Sequence, residues 1–407
     1  MLTTLEEGVK GGKWYSLMDK VYSLANLQVA FARVKANGGA GGVDHQTIEG
    51  FERHLEENLR KLSQALKDGT YRPQAVRRVW SDKPGSKEKR PLGIPTVRER
   101  VAQSALSNVL EPIFERDFAE QSYGFRPERG CKDALRRVDE LLKAGYNSVV
   151  DADLKSYFDT IPHEPLMDQV RKNISDGRVL DLLEVYLTQK VMDGMKDWTP
   201  EEGSPQGAII SPMLSNIYLN PLDQLMSQKG YEMVRYADDF VILCRNQAEA
   251  EKALEEVQRW TAEAGLTLHP EKTRIVDATQ VGGFDFLGYH FEQGMKWPRR
   301  KSLRKFKDAI RVKTSRCNGQ SLAATIVEIN CTLVGWFEYF KHSRSRTFRP
   351  LDAWIRMRLR SILRQRHGGR GCGRGLDHYR WPNAYFVKQG LFSLDVAHAQ
   401  LCQSLTR

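Results

Sequence analysis

The chain has 407 residues, 41% of them hydrophobic, and a mean hydropathy of −0.52; two or three domains fit, and no apolar run nears the roughly 20 residues that cross a membrane. Its net charge of +11 is concentrated: between Arg299 and Arg380, 21 Lys/Arg face five acids, so this block calls for a polyanion partner such as nucleic acid. Six scattered cysteines with no Cys-x-x-Cys pair argue against a zinc ribbon or a disulfide framework, and the first twenty residues lack the charged-then-apolar order of a secretory signal.

In chain order, Leu55, Leu59, Leu62 and Leu66 have helical spacing and predict a helical N-terminal region. The cluster Gly38-Gly39-Ala40-Gly41-Gly42 before them has no strand-to-helix context, so it reads as a flexible loop and not a nucleotide fingerprint. A basic strand over 76–80 leads into a charged loop from Asp82 to Arg90. From about residue 145, short strands alternate with helices. A β-branched run over 148–153 ends in acids, 221–228 reads as a helix, and 234–236 with 240–244 read as two strands around a tight turn. An amphipathic helix over 248–264 stops at Gly265, the residue type favoured just past a helix end. Strands over 273–276 and 284–291 follow, and beyond Pro298 the pattern is helical with basic residues at polar positions. The mixed order predicts an α+β class and not a regular βαβ array.

The sharpest chemical signal is Tyr236-Ala237-Asp238-Asp239 between two apolar runs. Adjacent carboxylates at the tip of an apolar hairpin repel each other and are costly unless a cation meets them. Magnesium takes one or two carboxylates and completes its shell with water and substrate phosphate. Val149-Val150-Asp151-Ala152-Asp153 is a second buried-strand pattern ending in acid, with Tyr157 and Phe158 in the turn beyond. One carboxylate leaving a strand and a pair on a neighbouring hairpin suit two metals about 4 Å apart, which activate a 3′-hydroxyl and stabilise leaving pyrophosphate. By itself an Asp-Asp pair would be an ordinary hairpin turn.

The string from Val234 to Leu243 resembles the active-site motif of reverse transcriptases in its group II intron form, and the resemblance extends through the chain in order. Arg90-Pro91-Leu92-Gly93-Ile94-Pro95-Thr96 resembles the fingers segment, and Ser122-Tyr123-Gly124-Phe125-Arg126-Pro127 the next block. Asp151 to Asp159 resembles the first catalytic block, Gly203-Ser204-Pro205-Gln206-Gly207 the block over the incoming nucleotide, and Phe286-Leu287-Gly288-Tyr289 the primer grip. The resemblance implies that Asp153, Asp238 and Asp239 are catalytic and hold Mg2+, with Mn2+ as a substitute. Asp153 is chosen over Asp151 because it stands five before Phe158, which would clash with a 2′-hydroxyl. It also implies substrate contacts from Lys83, Arg90, Gln206, Gly207 and Lys272; Lys87 and Lys89 are alternatives to Lys83, and a salt bridge is an alternative role for Lys272.

Leu333-Val334-Gly335-Trp336-Phe337-Glu338-Tyr339-Phe340 resembles the core of the maturase, or X, domain, and Trp381 to Phe386 the closing segment of several intron-encoded proteins. Arg356, Arg358, Arg360, Arg364 and Arg366 on one helix would spread charge over a face suited to backbone phosphates. Trp336, Tyr339 and Phe340 share a helix face and are expected in a bundle core, with base stacking as the other role. The paired cysteines and histidines of the family's endonuclease domain are missing, so no DNA-cutting domain is expected.

The expectation is a right-hand polymerase with a palm of mixed or antiparallel sheet and a helical thumb. Residues 1–145 would be N-terminal extension and fingers, 146–297 palm, 298–365 thumb and maturase domain, and 366–407 a basic, DNA-binding segment. Its partners would be an intron RNA template, a DNA primer, the RNA/DNA duplex and deoxynucleoside triphosphates, with no membrane, in a bacterial cytosol or nucleoid. The rival readings are a splicing-only RNA-binding maturase and a domesticated reverse transcriptase in DNA repair or phage defence.

Overall fold

The N-terminal region is helical, as its spacing requires. Ser23 caps the helix Leu24–Asn37 by accepting from the Asn26 N–H, and the helix Leu55–Lys67 buries Leu59, Leu62 and Leu66. These elements come from a computed structural model that describes residues 12–82, 89–317 and 319–405 and divides into two compact units, Met1–Ile275 and Val276–Arg407. The glycine cluster is fixed where a flexible loop was expected. Arg100 donates to the Gly38 and Ala40 carbonyls at 3.1 and 2.8 Å, and Arg77 to that of Gly41 at 2.7 Å.

Strands β1 (Val76–Asp82), β2 (Lys89–Ile94), β3 (Ser148–Asp153), β4 (Val191–Asp193), β5 (Lys196–Trp198), β6 (Glu232–Tyr236), β7 (Asp239–Cys244) and β8 (Arg274–Asp277) form two four-stranded sheets. Their orders are β2-β1-β4-β5 and β6-β7-β3-β8. In the first, β1 pairs antiparallel with β2 and parallel with β4, so that sheet is mixed. In the second, β7 runs antiparallel to both β3 and β6. The helix Gln247–Glu263 packs on β3 and β7, while Cys131–Lys143 and Ser211–Gln228 pack on β6. That covering explains why the second sheet's strands read as near-continuous apolar runs.

The helix expected over 221–228 in fact begins at Ser211, with Pro221 inside it. A mid-helix proline forfeits one backbone bond and costs about 3 kcal/mol. Burial of Leu214, Ile217, Leu219, Leu222 and Met226 along the same helix offsets that loss.

Arg235 on β6 is fully buried, and its guanidinium makes five hydrogen bonds. Nε and Nη2 donate to the two Asp223 carboxylate oxygens at 2.7 and 2.5 Å, and Nη2 also donates to Ser122 Oγ at 2.8 Å. Nη1 donates to Asn216 Oδ1 at 3.0 Å and to the Ala237 carbonyl at 2.8 Å. Burial opposes the charge, but the Asp223 carboxylate outweighs it and holds the Arg235 pKa above its usual value. One side chain therefore ties the β6–β7 turn to a helix and to the Ser122 segment.

In the second unit, β9 (Phe284–Phe286), β10 (Tyr289–Glu292) and β11 (Met295–Pro298) form an antiparallel sheet in the order β11-β10-β9. The single strand expected over 284–291 is thus two, because Leu287 (φ 45°) and Gly288 (φ 87°) reverse the chain. The helices Arg300–Lys313, Leu322–Phe340, Phe348–Arg366 and Leu394–Leu405 surround a core containing Phe306, Ile329, Leu333, Phe337, Phe348 and Leu359. Trp336 stacks on Phe306 at 4.4 Å against that core, as expected, whereas Phe340 is buried against Tyr289 at 4.9 Å and Tyr339 is only partly buried, its hydroxyl donating to the Leu287 carbonyl at 2.7 Å.

The arginine row is not the open phosphate face its spacing suggested. Arg360 is buried and donates to the Trp381 carbonyl at 2.9 Å and Asn383 Oδ1 at 2.7 Å. Arg358 bonds Thr314 Oγ1 at 2.5 Å, and Arg364 bonds Asp377 at 2.8 Å. Among the described residues, no helix is long and apolar enough to cross a membrane.

Two stability outcomes follow from buried charge. Asp223→Asn leaves Arg235 in the core without its counter-charge and is expected to lower unfolding free energy by about 3–5 kcal/mol. A urea titration reads this, and an unmoved midpoint would mean the pair is not ionised. Glu99, fully buried on the helix Val97–Glu115, is raised by burial from its ordinary 4.5 to about 7, against the pull of the Gln74 backbone and Arg98. A carboxyl with a raised folded pKa has its full stability below the unfolded pKa and loses it as pH climbs from about 4.5 to about 7. Glu99→Gln does not titrate, so relative to wild type it should gain on the order of 3 kcal/mol between about pH 4 and pH 8. Identical pH dependence in thermal melts of both proteins would exclude Glu99 as the responsible group.

Candidate active site

The site is built at one end of the second sheet. In the β3–β7 ladder Asp153 is paired directly with Asp239, and in the β6–β7 hairpin Tyr236 is paired with Asp239, leaving Ala237 and Asp238 as a two-residue turn. Ala237 has φ 60°, a left-handed conformation that costs a non-glycine residue of order 1 kcal/mol. The Arg235 bond to its carbonyl and the close approach of Gly124 hold it there. A Cβ on Gly124 would lie 2.3 Å from the Ala237 nitrogen, so only glycine fits against the turn. Asn216 fixes Gly124 in turn by donating to its carbonyl at 2.8 Å.

Directly opposed aspartates destabilise a sheet unless cations answer them. Lys272 does so for this pair, its Nζ contacting Asp153 Oδ2, while Arg274 Nε lies 3.4 Å from Asp151 Oδ2, whose own strand partner is Val241. Backbone bonds deliver them: Lys155 N–H donates to the Thr267 carbonyl at 2.8 Å and His269 N–H to that of Asp153 at 2.7 Å. The carboxylates of Asp153, Asp238 and Asp239 are oxygen donors of the kind magnesium takes, and all three are partly exposed at the end of the strands. Among the described residues no three His, Cys, Asp or Glu side chains already converge on a metal position; Asp153 is turned to Lys272.

Beyond β3 the chain makes a short 3-10 turn, Tyr157–Asp159. Tyr157, fully buried, donates to the Ser215 carbonyl at 2.8 Å and packs its ring edge-on against Phe158 at 5.5 Å. The Gly203–Gly207 loop is zipped to this turn, with Ser204 N–H donating to the Phe158 carbonyl at 2.7 Å. Gln206 Nε2 reaches Asp159 at 3.2 Å, and its carbonyl accepts from Gly93 N–H of β2 at 2.6 Å. Gly207 has φ 107°, and a Cβ there would meet the Gly93 carbonyl at 2.5 Å, so the contact between the loop and β2 depends on glycine.

Phe158 and Gln206 therefore meet at one wall of a cavity of about 620 Å³. Asp153 and Asp239 meet at the strand ends with Lys272 beside them. Arg90 lies on β2 opposite Ser81. Lys83 and Lys87 fall outside the described residues, and Lys89 faces Asp82 at the β2 start. Sequence reasoning missed Arg235, Asp223 and Asn216 as parts of the site. A lone arginine inside the apolar run Met233 to Tyr236 was the available signal, because an arginine in a buried strand demands a buried carboxylate.

Tyr236 hydrogen-bonds Cys131, which with burial raises its phenol to about 12. Its ring lies 6.4 Å from that of Phe125.

Residues 81–291 match the family model described as reverse transcriptase (RNA-dependent DNA polymerase), and residues 303–380 match that of the group II intron maturase-specific domain. The chain is 39% identical over 202 residues to the group II intron-encoded protein LtrA of Lactococcus lactis subsp. cremoris, covering 49% of this chain and 33% of that protein. It is 35% identical over 287 residues to protein YkfC of Escherichia coli K12, covering 61% and 74%, and 24% identical over 433 residues to the putative COX1/OXI3 intron 1 protein of Saccharomyces cerevisiae, covering 91% and 50%. The chain thus spans a third of the length of the Lactococcus relative. With over half its length in the first match and the maturase match following, the chain belongs to the reverse transcriptase family, in its group II intron branch, and has that family's right-hand polymerase fold.

Proposed function

We propose that this chain is an RNA-directed DNA polymerase that extends a primer on an RNA template, and a maturase that binds intron RNA to assist its splicing and mobility. The pairing of Asp153 with Asp239 beside Asp238 carries the reading. Asp153, Asp238 and Asp239 would hold two Mg2+, with Mn2+ as a substitute. Bound there, the ions would lower the pKa of a primer 3′-hydroxyl and neutralise charge on leaving pyrophosphate.

The remaining work belongs to this chain's side chains. Arg235 and Gly124 fix the turn that carries Asp238 and Asp239, and Asp153 would turn from Lys272 to join them when a metal binds. Lys272 balances Asp153 when no other cation does. Phe158, locked by Tyr157 and the Gly203–Gly207 loop, sets its ring where a 2′-hydroxyl would need room. Gln206 and Gly207 would shape the pocket, and Arg90 with Lys83, or Lys87 or Lys89 in its place, would contact the triphosphate, the guanidinium as a fork and the ammonium as a point charge.

In this reading residues 1–145 are extension and fingers, 146–297 palm, 298–365 thumb and maturase domain, and 366–407 a DNA-binding segment. The exposed cations of the helix Arg300–Lys313 would meet RNA phosphates. Cysteines held as thiols among the described residues fit a reducing cytosol.

Primer extension on an RNA template with deoxynucleotides and Mg2+ tests the reading. Asp238→Asn keeps shape but loses charge, and is expected to cut extension by at least about 100-fold. Equal extension by both proteins would remove Asp238 from the site, while tight RNA binding without extension by wild type would favour the splicing-only reading. Phe158→Ala is expected to admit ribonucleotides, lowering the preference for deoxynucleotides by roughly 10–100-fold in single-nucleotide incorporation. Unchanged preference would place the sugar elsewhere.

A further inference from the structure

The Gly203–Gly207 loop is held from two sides. Its first half is tied to the chain that follows β3. Gly203 N–H donates to the Ile161 carbonyl at 2.8 Å, His163 Nε2 donates to the Gly203 carbonyl at 2.7 Å, and Ser204 Oγ donates to Ser211 Oγ at 2.6 Å. Beyond Pro205 the ties run to elements that precede β3. Gly93 N–H of β2 meets the Gln206 carbonyl, and Gln103 on the helix Val97–Glu115 accepts the Ile209 N–H through Oε1 at 2.9 Å. Gln206, whose side chain reaches Asp159, lies between the two sets. Gly207, with its left-handed backbone, separates Gln206 from the Gln103 tie.

Gln103 is an odd residue for its place. It is fully buried, as are its sequence neighbours Val101, Ala102, Ala105 and Leu106. Its Nε2 has no hydrogen-bond partner among the described residues. A buried amide that leaves a donor unpaired costs about 1–3 kcal/mol, and a leucine of similar size escapes that cost. Packing therefore does not account for the amide; the bond from Ile209 to Oε1 does. Turning the amide over would set Nε2 against the Ile209 N–H, donor against donor, so its orientation is fixed. Gln103 is thus a strut from the helix to the backbone two residues past Gly207, and its length sets how far the second half of the loop stands from that helix.

We infer that Gln103 is a positioning residue for the incoming nucleotide, acting through Ile209 to set Gly207 and Gln206 where the pocket needs them. The inference rests on the polymerase reading and adds to it a buried support for the pocket. Single-nucleotide incorporation by the full chain on a primed RNA template tests it, with KM for the deoxynucleotide and kcat read separately. Hydrogen exchange over 203–210 and thermal melting accompany the kinetics. Gln103→Leu keeps the volume but offers no oxygen, and is expected to raise KM roughly tenfold with kcat within about twofold. It should also speed exchange over 203–210, while the thermal midpoint stays close to wild type because the unpaired donor is lost as well. Gln103→Met, likewise without an oxygen, repeats the test should Gln103→Leu fail to fold. Combining Glu99→Gln with Gln103→Glu keeps one carboxyl and one amide between the two positions and still presents an oxygen to Ile209. Its KM is expected to return to within about threefold of wild type. The inference is overturned if the oxygen-less variants extend with wild-type KM and exchange. It is equally overturned if kcat and the thermal midpoint fall while KM stays, which would make Gln103 a structural residue only. Should wild type extend no primer, the polymerase reading falls and takes the inference with it; wild-type extension with an unmoved KM in the variants removes the inference alone.

Discussion

The burial of Arg235 is the constraint on which the site depends. A guanidinium removed from water is tolerable only when its donors are satisfied and a carboxylate meets it. Here five bonds reach Asp223, Asn216, Ser122 and the Ala237 carbonyl. Each partner lies on a segment distant in sequence or on the turn itself. Moving the turn by even a fraction of an ångström would strip a donor from a group that has no water to replace it. Precision at the aspartates is therefore enforced from below, by a residue buried out of reach of solvent.

The second constraint acts from above. Asp151, Asp153, Asp238 and Asp239 crowd like charge onto the ends of two strands whose interiors are Val, Ile, Leu and Phe. The fold does not dilute that charge; it answers it, with Lys272 on Asp153 and Arg274 on Asp151. Both cations are about half exposed, so each is held weakly and can give way to a stronger one. Cations this exposed balance the carboxylates without being locked to them, so the strand ends keep their charge answered while the sheet beneath stays packed.

Much of this was legible from residues alone. Acids ending apolar runs at Asp153 and at Asp238–Asp239 located the strands and the turn, because an apolar run that breaks into carboxylates marks where a buried strand comes out to solvent. The α+β class followed from alternating periodicities. Elsewhere long-range contacts decided against local signals. Pro221 marked a boundary by its chemistry, yet burial on both sides carried the helix through it. The glycine cluster looked loose because nothing in its own sequence could hold it; Arg77 and Arg100, about 35 and 60 residues away, do. Arg235 went unassigned because its partner Asp223 is twelve residues back on a different element. No periodicity reports such a pairing.

Charge in the second unit teaches the same lesson in reverse. The net +16 from Arg299 to Arg380 is a property of composition, and composition does not say which cations face water. On the helix Phe348–Arg366, Arg358, Arg360 and Arg364 are spent on carbonyls, a hydroxyl, an amide and Asp377, binding the segment through Asn383 to the helix. The helix Arg300–Lys313 differs, since it buries Phe306 and Ile310 and turns most of its cations outward. The basic block thus contains two populations of the same residue type, one that holds the domain together and one that faces water, and only their hydrogen-bond partners tell them apart.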